Sequence, residues 1–94
     1  MRMMINKFGR ILTSRPAGRD AFLSAKAYLL HLKKPDEKLI LDFEGVDVLG
    51  PSWADEFITP LKNLYGEAGI EFANTKNESV VASIDILDKS RVSQ

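Results

Sequence analysis

Apolar residues along the chain fall into short runs and into stripes with helical spacing. The runs that predict strands are residues 2–8 and 10–13, 38–43 and 70–73, with glycine, asparagine or charged residues between them, and residues 46–49 continue the chain toward the second helix. Stripes spaced by three and four residues predict helices over residues 16–34, 52–65 and 78–88. Strands alternating with helices through short loops predict an α/β fold, with a mixed, mainly parallel small sheet packed with about three helices.

Residues with strong positional preferences predict where the helices begin and which side chains they bury. Pro16 suits the first turn of the first helix, whose buried stripe we expect to include Tyr28 and Leu32 before the helix ends near Lys34. Thr75-Lys76-Asn77-Glu78 has the form of a capping box for the third helix, whose buried stripe we expect to include Val81, Ile84 and Leu87.

The second helix is expected to begin at Ser52, a residue type that caps helix N-termini well. Asp55 and Glu56 would then lie in its first turn, where they meet the positive end of the helix dipole. Pro60 lies inside the stripe and removes one helical hydrogen bond, so we expect a kink there or two abutting short helices.

Composition limits the chain to one ordinary globular domain. Its 94 residues are 45% hydrophobic, with no internal repeat, so residues 1–94 are expected to form a single domain with a frayed tail over 89–94. The absence of cysteine fits a reducing compartment, and no apolar stretch reaches the length of a membrane span. We expect a cytoplasmic protein with no membrane partner.

Charge is balanced overall but uneven along the chain. Residues 1–38 carry nine Lys and Arg against three acids, and residues 39–94 carry four against ten. The two halves could pair within one fold, or they could give a dipolar surface that steers a charged partner or favours head-to-tail association. A net charge of zero gives no field for holding nucleic acid, so no nucleic-acid partner is expected.

Motifs for catalysis are missing from the chain. It contains no glycine-rich phosphate loop and no metalloprotease motif, and His31 is its single histidine. We therefore expect no catalytic residues, no cofactor and no enzyme activity. One alternative is a metal-dependent enzyme or phosphotransfer domain that uses Asp42, Glu44 and Asp47 around the central loop.

One segment carries a family resemblance: Ile40-Leu41-Asp42-Phe43-Glu44-Gly45-Val46-Asp47-Val48-Leu49-Gly50-Pro51-Ser52-Trp53-Ala54-Asp55-Glu56-Phe57. It resembles the central strand, loop and helix start of STAS domains, the fold of bacterial anti-sigma-factor antagonists. It is more closely similar to the STAS-like family of small bacterial domains of unknown function. Thr13-Ser14-Arg15 with Gly18 upstream, and residues 70–74 downstream, also fit that family.

The resemblance implies a non-enzymatic regulatory or signalling domain that binds a protein partner, such as a histidine-kinase-like ATPase or another regulator. In antagonist STAS domains, a serine at this helix start is phosphorylated and the phosphate switches binding off. That position matches Ser52, which could equally be a helix cap alone. The expected partner-binding residues are Val48, Leu49, Gly50, Pro51, Trp53, Arg15 and Arg19, with Trp53 as likely to lie in the core. A self-associating structural subunit remains a third alternative.

Overall fold

Five short strands and three helices make up the chain in a computed structural model, which describes the backbone of residues 1–92 and the side chains of residues 1–89. The strands are β1 (Arg2–Met4), β2 (Ile11–Leu12), β3 (Leu39–Asp42), β4 (Val48–Leu49) and β5 (Ile70–Ala73). The helices are α1 (Arg15–Tyr28), α2 (Pro51–Tyr65) and α3 (Glu78–Val92), and 3₁₀ turns occupy Ile5–Phe8, Leu30–Leu32 and Glu67–Gly69.

The strands form two parallel sheets within the described residues, one in the order β1-β3-β5 and one that pairs β2 with β4. In the larger sheet, Met3, Leu41 and Phe72 lie side by side across the three strands. Parallel strands need crossover connections. α1 connects β2 to β3, and α2 connects β4 to β5. The predicted α/β class and mainly parallel pairing are confirmed.

The core lies between the larger sheet and the helices. α2 contributes the largest buried side chains, and the sheet contributes its inner face; the buried set includes Met3, Leu39, Leu41, Ile70, Trp53, Phe57, Ile58 and Leu61. β3 ends at Asp42, one residue before the end of the run expected over residues 38–43. Phe43 follows it and is buried, with its ring centroid 6.1 Å from that of Phe72.

The first two elements differ from the prediction because the chain bends between the sheets. The strand expected over residues 2–8 ends at Met4, and a 3₁₀ turn takes the chain through Ile5–Phe8. A 3₁₀ turn has three residues per turn, so Ile5 and Phe8 lie on one side and both pack toward the core. α1 likewise ends at Tyr28, and the following turn buries Leu30. Tyr28 and Leu32 are therefore 73% and 62% exposed, and their expected burial is wrong.

Two expectations for the other helices are also corrected. α2 is a single helix that continues through Pro60, so its division into two helices is wrong. α3 continues to Val92, residues 93 and 94 lie outside the described part, and the frayed tail expected over residues 89–94 stays an untested prediction. In α3 the buried positions include Val80, Ser83 and Leu87, whereas Val81 is exposed.

Opposite charges from the two halves of the chain form ion pairs with each other within the domain. Four bases of residues 1–38 pair with acids from residues 39–94, in the ion pairs Arg2–Asp42, Arg10–Asp47, Arg15–Asp55 and Lys38–Glu71. The first alternative, that the halves face each other, is confirmed by these pairs. Self-association through the remaining charges stays an untested prediction.

Candidate functional site

The N-terminus of α2 follows β4 after one residue. Gly50 is the N-cap, and its N–H donates to the Leu12 carbonyl at 2.7 Å. Pro51 is the first helical residue, a position that proline favours because its missing N–H is not needed there. Ser52 is consequently the second helical residue, and no side chain caps this end. The expectation that Ser52 is the N-cap is wrong, because Pro51 starts the helix one residue earlier.

Arg15 at the start of α1 binds the first turns of α2. Its Nη1 donates to Asp55 Oδ2 at 3.0 Å and to Glu56 Oε1 at 3.1 Å. Thr59 donates from Oγ1 to the second oxygen of Asp55 at 2.9 Å. The Arg15 hydrogen bond, aided by that of Thr59, lowers the pKa of Asp55 below its ordinary value. Asp55 and Glu56 lie beyond the first turn, so the expected dipole role is wrong and they bind Arg15 instead.

A shallow groove of about 280 Å³ joins these residues to α3. Its lining consists of Arg15, Pro51, Ser52, Asp55, Ile86 and Leu87, which we call the Ser52 surface. Ser52 is half-buried, and Ile86 and Pro51 are exposed. The structure therefore brings Arg15 and Ser52 together on one groove.

Arg19 lies one helical turn beyond Arg15 and lines a different groove, between α1 and α2. That groove shares Asp55 and Glu56 with the Arg15 contacts and also includes Phe22 and Leu23. Arg19 thus flanks the Ser52 surface without lining it.

Two of the expected partner-binding residues lie in the core. Leu49 and Trp53 are each 1% exposed, so in this structure they cannot contact a partner, and that expectation is wrong. Alternation along β4 turns Leu49 inward and leaves Val48 exposed. The Trp53 ring stacks on Phe57 with centroids 4.8 Å apart. Of the two roles left open for Trp53, the core role is the one observed.

Close packing at Gly18 also fixes the distance between α1 and α2. A Cβ added to Gly18 would lie 2.5 Å from the Trp53 carbonyl oxygen, a distance that non-bonded atoms do not tolerate. Because only glycine permits this approach, the two helix N-termini are held at a defined distance, and so are Arg15 and Ser52.

Asp42 and Asp47, two of the three carboxylates of the alternative metal site, each bind other side chains of the domain. Asp42 is buried and accepts hydrogen bonds from Arg2, from Asn74 Nδ2 at 2.8 Å and from the Glu44 N–H at 2.9 Å. Asp47 binds Arg10 at 2.9 and 3.1 Å. Among the side chains described, no three His, Cys, Asp or Glu residues are grouped to hold a metal ion. Asp42, Glu44 and Asp47 do not form the expected loop site.

Side chains of Asn77, Ser79 and Ser83, which were not singled out from the sequence, hold β4 in place from the N-terminal part of α3. Ser79 Oγ accepts from the Leu49 N–H at 3.0 Å, and Ser83 Oγ donates to the Leu49 carbonyl at 2.6 Å. Asn77 Nδ2 donates to the Asp47 carbonyl at 2.7 Å, and Asn77 Oδ1 accepts from the Ser79 N–H at 2.8 Å. Asn77 therefore caps α3, and the expected capping box with Thr75 is wrong. The sequence signal for these contacts is the spacing of Ser79 and Ser83, which lie four residues apart and therefore on one face of α3.

Comparison with protein families agrees with this architecture. The family model described as a STAS-like domain of unknown function matches residues 25–80, which extend from α1 to the start of α3. The chain belongs to this STAS-like family. The match contains β3, β4, α2 and β5, and so includes Ser52 with the strand and helix that position it. No curated protein and no solved structure matches the chain. Within residues 1–92, none of the helices is long and apolar enough to cross a membrane.

Proposed function

We propose that this STAS-like domain is a non-enzymatic regulatory module of the cytoplasm that binds a protein partner through the Ser52 surface. The observation that carries the proposal is the convergence of Arg15, half-exposed Ser52 and exposed Ile86, from three different helices, on one groove. A histidine-kinase-like ATPase is the first partner class to test, because that class phosphorylates the antagonist STAS domains that the chain resembles.

The chemistry of the Ser52 surface suits a protein partner. Arginine is among the residue types that carry most binding energy at protein interfaces, and the buried core of an interface is more apolar than the remaining surface. Here Arg15 is held in place by two carboxylates, and Ile86 and Pro51 supply exposed apolar area beside it. Because these groups are already positioned, a partner would pay little ordering entropy on binding.

Ser52 is placed so that a phosphate would change this surface. Transfer of a phosphoryl group to its Oγ would add nearly two negative charges at the N-terminus of α2, where free N–H groups and the helix dipole favour an anion. The new charge would also attract Arg15 and compete with Asp55 and Glu56 for its guanidinium group. A partner that binds Arg15 and the neutral serine would then bind more weakly.

Affinity capture from the native cell tests the proposal. The tagged wild-type domain is compared with Ser52→Asp and with the control Asp36→Asn, whose side chain is exposed in the loop before β3, at the opposite edge of the strands. We expect the wild type and the control to retain the same protein and Ser52→Asp to lose it. If all three retain the same proteins, or none retains a specific protein, the Ser52 surface is not a regulated binding site.

A further inference from the structure

A second groove, of about 380 Å³, lies between β2 and α1 and shares none of its lining residues with the Ser52 surface. Ala17, Asp20, Ala21 and Ser24 form its helical wall, and this spacing of three and four residues places them on one face of α1. Small side chains at three of these positions keep that wall open. We call this cavity the β2 groove.

β2 forms the opposite wall with its edge. Ile11 is 68% exposed and Leu12 is buried, so they point to opposite faces of the strand, yet both line the groove. Because the groove is lined by side chains from both faces of β2, it lies along the edge of that strand. Partly buried Phe8 closes the floor, and its ring centroid lies 6.1 Å from that of the buried Trp53 ring.

The edge of β2 in this groove carries free backbone groups. The carbonyls of Arg10 and Leu12 face β4, because they accept from the Val48 N–H at 3.0 Å and the Gly50 N–H at 2.7 Å. Backbone groups alternate sides along a strand, so the N–H and carbonyl of Ile11 point away from β4, into the groove. An unpaired strand edge of this kind is a template for a further strand.

Charge at the rim indicates the chemistry of the occupant. Asp20 is exposed on the helical wall and is absent from the ion pairs formed by the described residues, although most other acids of residues 1–56 have a basic partner. A lysine or arginine on the outward face of a bound strand would lie within reach of this carboxylate. An aromatic floor with an acidic rim favours an extended segment that alternates apolar and basic residues.

We propose that the β2 groove binds an extended peptide segment of a partner protein, which adds as a strand to β2. Its backbone bonds to Ile11, its apolar side chains rest on Phe8, and its basic side chains face Asp20. Strand addition between an edge strand and a helix is an established mode of peptide recognition. The site is independent of the Ser52 surface, so its test does not depend on the proposed function.

Trp53 is the single tryptophan, and its buried ring lies 6.1 Å from that of Phe8, so its fluorescence reports a change of packing at the floor of the groove. The probe is the acetylated and amidated peptide Thr-Val-Lys-Val-Lys-Val-Thr. We expect a saturable change with a dissociation constant below about 1 mM, the range of a short motif with few contacts. A matched peptide with N-methylated valines cannot form the strand ladder and should not bind. No saturable change with the first peptide, or equal binding of both, overturns the proposal.

Variants separate the parts of the proposed site. Asp20→Lys should weaken binding of the basic peptide about tenfold, whereas the control Asp85→Lys on α3 should not change it. Ile11→Pro removes the N–H that faces the groove and leaves the bonds between β2 and β4, so it should abolish binding. If that variant does not fold, Ala17→Leu narrows the same groove from an exposed helix position and should also abolish binding.

A second copy of the chain is the competing occupant of the β2 edge. Sedimentation of the wild type distinguishes it: a monomer that binds the peptide supports the proposal. A dimer that Ile11→Pro dissociates and that the peptide does not disturb would overturn it.

Discussion

Replacing Gly18 with alanine tests how closely α1 approaches α2. The added Cβ would lie 2.5 Å from the Trp53 carbonyl oxygen and 2.9 Å from its Cα. Both atoms belong to the backbone of α2, so no change of side-chain rotamer relieves the clash. Ordinary contacts between carbon atoms are about 3.5–4.0 Å, so the two helices would have to separate by roughly 1 Å.

Two opposing effects determine how much Gly18→Ala changes the free energy of unfolding. Alanine is favoured over glycine inside a helix by about 1 kcal/mol, which would stabilise an uncrowded variant. Forcing extra atoms into a packed interface costs about 1–3 kcal/mol, and a clash with backbone belongs at the upper end of that range. The expected net loss is about 2 kcal/mol, which lowers the melting temperature by roughly 8–16 °C in a domain of this size.

Thermal and urea unfolding followed by circular dichroism measure this loss. Ser24→Ala is the matched control, because position 24 is exposed in the same helix and the substitution adds helix propensity without a clash. We expect the control to be as stable as the wild type or slightly more stable. A Gly18→Ala protein that melts at or above the wild-type temperature would refute the close approach of the helices.

Three further substitutions test the core, the buried carboxylate and the α3 cap. Phe43→Ala should lower the free energy of unfolding by about 3–5 kcal/mol in urea titrations, and an unchanged midpoint would show that Phe43 is not in the core. Hydrogen bonds from Asn74 and the Glu44 N–H, with Arg2, hold the pKa of Asp42 below its ordinary value. Its contribution is therefore complete above the unfolded pKa and lost as the pH falls through the folded pKa, so the stability gap to Asp42→Asn should shrink below about pH 4; a gap that stays constant into more acidic solution would disprove this. Asn77→Ala should lower the free energy of unfolding by about 1–2 kcal/mol, because α3 loses its cap. A melting temperature equal to that of the wild type would show that the hydrogen bonds of Asn77 to Ser79 and Asp47 do not contribute to stability.

The core of this fold could be predicted from sequence because its signals are local. The apolar run that becomes β3 and the stripe that includes Trp53 and Phe57 both follow their period closely. Periodicity failed where a helix changed its pitch: the turn at Leu30–Leu32 tightens the chain, and Leu30 is buried in place of Leu32.

The candidate site was harder to predict because its geometry depends on contacts between distant residues. The sequence shows that Ser52 lies near a helix start, but one proline decides that the helix begins before it. The bonds from Arg15 to Asp55 span 40 residues, and those from Ser83 to Leu49 span 34. Such pairs leave no trace in a local pattern, so Asp55 was assigned to the helix dipole and Ser83 was missed.

The dissociation constant of the captured partner tests the regulatory claim most directly. It is measured for the wild type, for Ser52→Ala and for Ser52→Asp, which folds because an acid is favoured near a helix N-terminus. We predict that Ser52→Ala binds within about threefold of the wild type and that Ser52→Asp binds at least about tenfold more weakly, a difference of about 1.4 kcal/mol. Equal constants for all three proteins would contradict the assignment of Ser52 as the switch.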